Sequence, residues 1–210
     1  MKLFTWEIAP NPRRVKIFLK EKGVEIPSED VGVSGKPYLE PSFLEKYPHR
    51  RVPLLRLDDG SYIAEAMAIC RYFEALYPDP PLMGSNPRQA GFIDMWERLA
   101  ESEGLQAIAE FYRNSKGSFS GRSLAGYEKT LEQIPALVER GEMRLNLFYE
   151  KFDAQLANNK FVAGNCFSVA DITTICTIDF ANFSKLGIPR NCKNLQRWYK
   201  LVSTRPSVFS

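Results

Sequence analysis

Histidine is almost absent from this chain of 210 residues, since His49 is the only one. The four cysteines are widely spaced and form no Cys-x-x-Cys pair; they are Cys70, Cys166, Cys176 and Cys192. A Ser-His-Asp triad, a histidine-rich metal site and a zinc site on paired cysteines therefore lack the residues they need. We expect no metal and no disulfide framework. Proton chemistry must come from carboxylates, hydroxyls or the ligand itself.

Long apolar runs and strong net charge are also missing. No apolar stretch reaches the roughly 18 residues that a membrane-spanning helix needs, and the N-terminus is too poor in apolar residues for a secretory signal. The formal net charge is only +3. The small basic clusters at 13–16 and 49–51 lack the interleaved aromatic residues of a single-strand nucleic-acid site. We expect a cytosolic protein that binds neither membranes nor nucleic acid, with basic clusters that are solvated or contact one small anion.

The first part of the chain has the pattern of a strand, a helix and a second strand. Residues 2–6 and 24–31 predict the strands, and a proline places the second strand at a sheet edge. The helix is predicted to have Asn11 as its N-cap, Pro12 at its first position and Gly23 at its end. A strand-helix-strand unit of this length implies that the two strands are parallel.

The next segment predicts a hairpin and a helix. Residues 53–57 and 61–64 flank an Asp-Asp-Gly turn, which is a strong hairpin signal, and residues 65–76 have the apolar face of a helix. If the Val52–Pro53 bond is cis, the main-chain groups of Val52 face outward and are free to pair with an extended peptide. The simpler alternative is an ordinary junction between a loop and a strand. The order β-α-β-β-β-α is thioredoxin-like.

Strand signals disappear after this first domain, 1–77, and a proline-rich linker, 78–87. Residues 88–210 predict an all-helical domain with two long helical patterns, and a proline either kinks the second pattern or opens its second half. Ser168 and Asp171 have the spacing of a capping box. The segment behind them is nearly apolar on all sides, which is typical of a buried central helix.

Several short motifs accompany this two-domain pattern. They are Arg13-Arg14-Val15, Tyr47-Pro48, Val52-Pro53, Glu65-Ala66-x-Ala68-Ile69, Phe161-Val162-Ala163-Gly164 and Ser168-x-x-Asp171. Each is weak alone, but together they resemble the cytosolic glutathione transferase family, most closely the bacterial members that share features with the theta and phi classes. The resemblance covers essentially the whole chain. It implies a thioredoxin-like glutathione-binding domain, an all-helical domain, glutathione as co-substrate and a homodimer formed around Met67 and Arg71.

The resemblance also implies a set of glutathione-binding residues. Val52 pairs its main chain with the cysteinyl part of glutathione, and Pro53 is the cis-proline. Glu65 and the helix start at Ala66 contact the γ-glutamyl end, while Arg51 lies near the glycyl carboxylate. An alternative for Glu65 is an acid that only interacts favourably with the helix dipole.

The catalytic hydroxyl of the serine-type classes has no counterpart here, because Ala9 occupies that position. A free thiol with a pKa of about 8.5 is only a few per cent ionised at neutral pH. The N-terminus of the first helix and a side-chain donor would increase the thiolate fraction. Asn11 is our first candidate for the catalytic donor, and its alternative role is the helix cap. Thr5 and the indole N–H of Trp6 are weaker candidates.

Two further departures concern glutathione binding. Ala66 replaces the usual serine, which removes a hydroxyl donor but keeps the main-chain N–H. Tyr38 falls roughly where some classes have a glutathione-binding histidine, and Lys36 is the candidate substitute. Together with Ala9, these departures favour a competing hypothesis, in which the chain is a non-catalytic binding or scaffold protein.

The second substrate is expected to be a small apolar electrophile. Four aromatic residues are candidates to line its site, although aromatic residues at helical spacing are also typical of a core; they are Trp96, Phe111, Tyr112 and Phe119. The leading hypothesis is a glutathione transferase. Glutathione-dependent isomerisation, dehalogenation and ether cleavage use the same thiolate and remain open.

Overall fold

The computed structural model describes residues 1–32, 51–127 and 129–209. The chain divides into two compact units. The first unit comprises Met1–Pro80 and Leu124–Thr130, and the second unit comprises Pro81–Ser123 and Leu131–Ser210. No helix among the described residues is long and apolar enough to cross a membrane. Lys36 and Tyr38, which the sequence analysis singled out, lie outside the described residues.

Among the described residues of the first unit, four strands form one sheet in the order β2-β1-β3-β4. They are β1 (Lys2–Thr5), β2 (Ser28–Asp30), β3 (Leu54–Arg56) and β4 (Tyr62–Ala64). β1 is parallel to β2 and antiparallel to β3, and β3 forms a hairpin with β4. The parallel pair, the hairpin and the edge position of β2 are therefore confirmed.

Two helices of the first unit pack against each other, α1 (Pro10–Glu21) and α2 (Ala66–Leu76). Gly23 ends α1 as predicted, with a φ of 65°, and the next amide, of Val24, donates to the carbonyl of Leu19 at 2.9 Å. This bond belongs to the C-terminal cap of a helix. The prediction of a strand from residue 24 is wrong, because the chain there still closes α1.

The start of α1 also differs from the prediction. Ala9 is the N-cap and Pro10 is the first helical residue, so Asn11 and Pro12 both lie inside the helix. The prediction that Asn11 caps α1 is therefore wrong. The amide of Ala9 donates to the carbonyl of Trp6 at 3.0 Å, and this turn brings the chain into the helix two residues early. Pro10 suits the first position because its φ is already helical.

The second unit is helical in its described residues. Its α-helices are α3 (Pro87–Leu99), α4 (Gln106–Ser115), α5 (Pro135–Leu156), α6 (Val169–Phe183), α7 (Lys193–Ser203) and α8 (Pro206–Phe209). A π-helical segment, Ala100–Leu105, joins α3 to α4, and a short 3₁₀ turn, Gly117–Phe119, follows α4. Pro135 opens α5 at its first turn, which settles the alternative of a kink. The π-helical segment was not predicted.

The start of α6 is held by one buried carboxylate. Ser168 and Asp171 form the predicted capping box, in which Asp171 accepts the amide of Ser168 at 3.0 Å. The same carboxylate accepts the amide of Val162 at 2.9 Å and the indole N–H of Trp198 at 2.8 Å. It therefore joins three parts of the second unit. The helix behind it is buried as predicted, except at its end, where Phe183 is 71% exposed.

Candidate functional site

The register of the sheet brings three chain segments to one end of the first unit. Phe4 pairs with Leu54, and Leu54 pairs with Ala64. The C-terminal ends of β1 and β4 therefore lie beside the N-terminal end of β3. The chain leaves β1 there toward α1, Val52 precedes β3 there, and Glu65 follows β4 there. The sequence-predicted residues around these positions are thus brought together by strand pairing.

The Val52–Pro53 peptide bond is cis, as the family resemblance implied. The side chain of Val52 packs against Phe4 and Leu54, while Pro53 is buried ahead of β3. Within the described residues, no hydrogen bond is made to the main chain of Val52. Its N–H and C=O groups are the kind of groups with which an added extended peptide pairs.

The start of α2 has an unusual backbone. Glu65, its N-cap, has a φ of 69° and makes no capping hydrogen bond with its side chain. A positive φ in a residue other than glycine costs of order 1–3 kcal/mol and is found preferentially at binding sites. The free N–H groups of a helix start bind carboxylates, and a carboxylate such as that of Glu65 binds an ammonium group. This corner therefore has complementary groups for both ends of an α-amino acid.

Arg51 lies beside the same corner. Its Nη1 atom is 3.9 Å from Oε1 of Glu65, and both side chains are substantially exposed. Such an exposed pair contributes only about 0–1 kcal/mol to stability. The guanidinium carbon of Arg51 also lies 5.9 Å from the ring centroid of Tyr127. Tyr127 comes from a distant part of the sequence and was missed, because no local pattern marks it.

The first turn of α1 leaves few donors for a ligand. Pro10 and Pro12 have no N–H, and the amide that follows them already donates to the carbonyl of Ala9 at 3.3 Å. The N–H of Asn11 is therefore the one first-turn amide without an acceptor in the described part of the chain. Its side-chain Oδ1 accepts from Nη1 of Arg14 at 2.9 Å. The NH₂ group of the exposed Asn11 side chain is left to donate elsewhere.

The two weaker candidates for donating a hydrogen bond to the thiolate, Thr5 and Trp6, are less accessible than Asn11. Thr5 is only 2% exposed, and its hydroxyl has no hydrogen-bond partner among the residues that the structure describes. The ring of Trp6 lies directly against Gly32, where an added Cβ atom would come within 1.8 Å of it.

The four candidates for the second-substrate site fall into two groups. Trp96 packs edge-on against the buried Phe152 at a centroid distance of 5.2 Å. The backbone of Phe111 lies against Gly141, so closely that an added Cβ atom would be 2.9 Å from its nitrogen. Both residues therefore pack against α5.

Tyr112 and Phe119, in contrast, belong to one aromatic cluster. The ring of Tyr112 lies 5.3 Å from that of Phe119, 5.0 Å from that of Phe180 and 5.9 Å from that of Phe183. Sequence reasoning missed Phe180 and Phe183, because it assigned their whole segment to the core. The exposure of Phe183 leaves part of this cluster open to a ligand.

Comparison with known proteins gives a consistent result over the whole chain. The family model described as "Glutathione S-transferase, N-terminal domain" matches residues 3–81, and that described as "Glutathione S-transferase, C-terminal domain" matches residues 105–206. Glutathione S-transferase 2 of Saccharomyces cerevisiae is 35% identical over 212 residues, which cover 99% of this chain and 88% of the yeast protein.

Solved structures agree with this assignment. A glutathione S-transferase domain-containing protein from Marinobacter aquaeolei superposes with a TM-score of 0.89 at 32% identity, covering 99% of this chain and 100% of that one. Gtt2 from Saccharomyces cerevisiae superposes with a TM-score of 0.86 at 34% identity, covering 100% of this chain and 99% of that one. The chain therefore belongs to the glutathione S-transferase family, whose enzymes use glutathione as co-substrate.

Proposed function

We propose that this chain binds glutathione through the end of the sheet at which Val52, Glu65 and the start of α1 meet, and transfers its thiolate to an apolar electrophile. The observation that carries the proposal is the register, which places main-chain pairing groups, a helix start with a carboxylate, and a second helix start at one end of a single sheet. Glutathione has a matching group for each of them.

Each part of the tripeptide has a partner of suitable chemistry. The main chain of Val52 pairs with the cysteinyl residue in the manner of an added strand. The γ-glutamyl end has an ammonium group for Glu65 and a carboxylate for the N–H groups at Ala66. The glycyl carboxylate is assigned to Arg51, whose fork of N–H groups suits a carboxylate.

Asn11 is proposed to stabilise the thiolate. Its main-chain N–H and its side-chain NH₂ group are two donors at one position, and the helix dipole adds a favourable field. The bond from Arg14 to Oδ1 fixes the orientation of the amide, so that NH₂ and not oxygen is left for the sulfur. The thiol proton is lost to solvent. The sulfur then forms a bond to the electrophilic carbon, and the leaving group departs with its electron pair.

The aromatic cluster around Tyr112 is proposed to bind the second substrate. Its rings offer faces and edges to a planar apolar molecule, and Phe183 is the most exposed of them. Trp96 and Phe111 pack against α5, so we assign them a supporting role behind this surface.

A binding and turnover experiment tests the proposal. Isothermal calorimetry should detect binding of glutathione at millimolar concentration or below, and the protein should conjugate glutathione to 1-chloro-2,4-dinitrobenzene. Glu65→Gln should weaken binding about 10- to 100-fold, since a charged hydrogen bond contributes about 1.5–3 kcal/mol. Glu25→Gln, at an exposed acid of the same unit, is the matched control. No heat and no thermal shift with glutathione would instead support the non-catalytic scaffold.

A further inference from the structure

The segment Leu124–Thr130 lies between α4 and α5 in the sequence, yet it belongs to the first unit. Hydrogen bonds join the residues on either side of this segment. The amide of Ser123 donates to the carbonyl of Leu131 at 3.2 Å, and the amide of Leu131 donates to the carbonyl of Gly121 at 2.9 Å. The segment is therefore a loop whose flanking residues are hydrogen-bonded to each other.

Among the described residues of this loop, Tyr127 reaches the candidate site. Its ring centroid lies 5.9 Å from the guanidinium carbon of Arg51, within the distance at which a cation and an aromatic face attract each other. Glu65 contacts the same guanidinium at 3.9 Å. No other interaction of the Arg51 side chain is found in the described ranges, so most of its five N–H donors are not used by those residues.

We propose that Tyr127 is a positioning residue for Arg51, and that through Arg51 it sets the affinity for the glycyl carboxylate of glutathione. An exposed arginine has many rotamers, and fixing one of them costs free energy when a ligand binds. The ring of Tyr127 removes part of that cost in advance. It also offers the guanidinium a contact other than Glu65, which leaves the Glu65 carboxylate for the ligand's ammonium group.

This inference rests on the proposed function, and it makes one prediction that the proposed function alone does not make. Only ligands with a free glycyl carboxylate should respond to Tyr127. The glycine monoethyl ester of glutathione keeps the thiol and the γ-glutamyl end and lacks that carboxylate. It is therefore the matched probe.

Steady-state kinetics with the two thiols test the proposal. Tyr127→Ala should raise KM for glutathione about 2- to 5-fold, as expected for the loss of an exposed cation–π contact, with kcat unchanged and with KM for the ester unchanged. Tyr127→Phe keeps the ring and should behave as the wild type. Leu124→Ala, at an exposed apolar residue of the same loop, is the control for general disturbance.

A double variant completes the test. If Tyr127 acts through Arg51, adding Tyr127→Ala to Arg51→Ala should not raise KM for glutathione further. An equal rise in KM for both thiols, a fall in kcat, or additive effects in the double variant would overturn the proposal. Failure of the proposed function is separate and is seen first, because the wild-type protein would then bind neither thiol.

Discussion

Asn11 is the proposed donor to the thiolate because its neighbours in the first turn of α1 offer few other donors. Prolines on both sides remove two of the amides that a helix start normally offers, and Ala9 offers no side-chain hydroxyl. The remaining amide and the side-chain NH₂ group both belong to Asn11. Its bond with Arg14 joins two residues of one helix turn and orients the amide. The flanking prolines, Ala9 and Arg14 thus leave Asn11 as the candidate donor.

At this scale we predict the effect of Asn11→Ala. It should lower kcat about 10- to 100-fold, since a hydrogen bond to a charged group contributes about 1.5–3 kcal/mol, and it should change KM for glutathione little. The pKa of the bound thiol should rise toward its free value of about 8.5, which a pH profile of kcat/KM and the ultraviolet absorbance of the thiolate both report.

Asn11→Asp is the matched control for this prediction, because it keeps the shape but replaces the donor with a charged acceptor. It should be at least as slow as Asn11→Ala. An unchanged kcat in Asn11→Ala would exclude Asn11 from the mechanism.

At the scale of elements, the start of α6 is the junction of the second unit. The Asp171 carboxylate joins this helix to α7 and to the turn at Val162. Burial raises the pKa of Asp171 from its ordinary value of 3.8 to about 6, although the hydrogen bonds from Val162, Trp198 and Ser168 lower it. The folded protein therefore binds this proton more tightly than the unfolded chain does.

The pH dependence of stability follows from that difference. Because the folded pKa is the higher one, the contribution of Asp171 is fully present below about pH 4 and is lost as the pH rises through about 6. The loss amounts to about 3 kcal/mol, at about 1.4 kcal/mol for each unit of pKa. Because other carboxylates also titrate in this range, the quantity to measure is the difference in the free energy of unfolding between the wild type and a variant that lacks the titrating carboxyl group.

Urea denaturation of the wild type and of Asp171→Asn should be measured from pH 4 to pH 7. The variant should be less stable, because the NH₂ group of the asparagine would face an N–H donor whose hydrogen bond the Asp171 carboxylate accepts. The stability advantage of the wild type should shrink between about pH 4 and pH 6. Two curves that stay parallel over this range would show that Asp171 does not titrate there.

At the scale of the whole molecule, we propose a homodimer, formed by the region around Met67 and Arg71 of one copy against the first long helix of the other. The exposed face of that helix supports the proposal: Phe92 is 45% and Met95 is 44% exposed, and they lie three residues apart on one face. Apolar side chains placed together in this way are typical of an interface.

Light scattering coupled to size-exclusion chromatography tests this assembly. The wild type should have twice the mass of the 24.0 kDa chain, and Met95→Glu should shift it toward the monomer, because an unpaired charge would be buried in the interface. Met143→Glu, at an exposed methionine of α5, should leave the mass unchanged. A monomeric wild type would contradict the proposal.

The sequence by itself determined the order of the strands and helices in the first unit and several of their ends. The Asp-Gly turn, the proline that opens α5, the glycine after α1 and the Ser-x-x-Asp box are local signals, and local backbone chemistry is enough to interpret them. The proposal that the proline ahead of β3 and the acid ahead of α2 belong to one site came from the resemblance to a known family and not from these local signals.

Only the tertiary structure decided which residues meet. The early start of α1 depends on a turn at Trp6, the short β2 depends on how α1 closes, and the aromatic cluster joins α4 to the end of α6. Tyr127 lies beside Arg51 although the two residues are far apart in the sequence and no short motif contains both. Contacts of this kind depend on packing between distant segments, and no pattern within a short stretch of sequence records them.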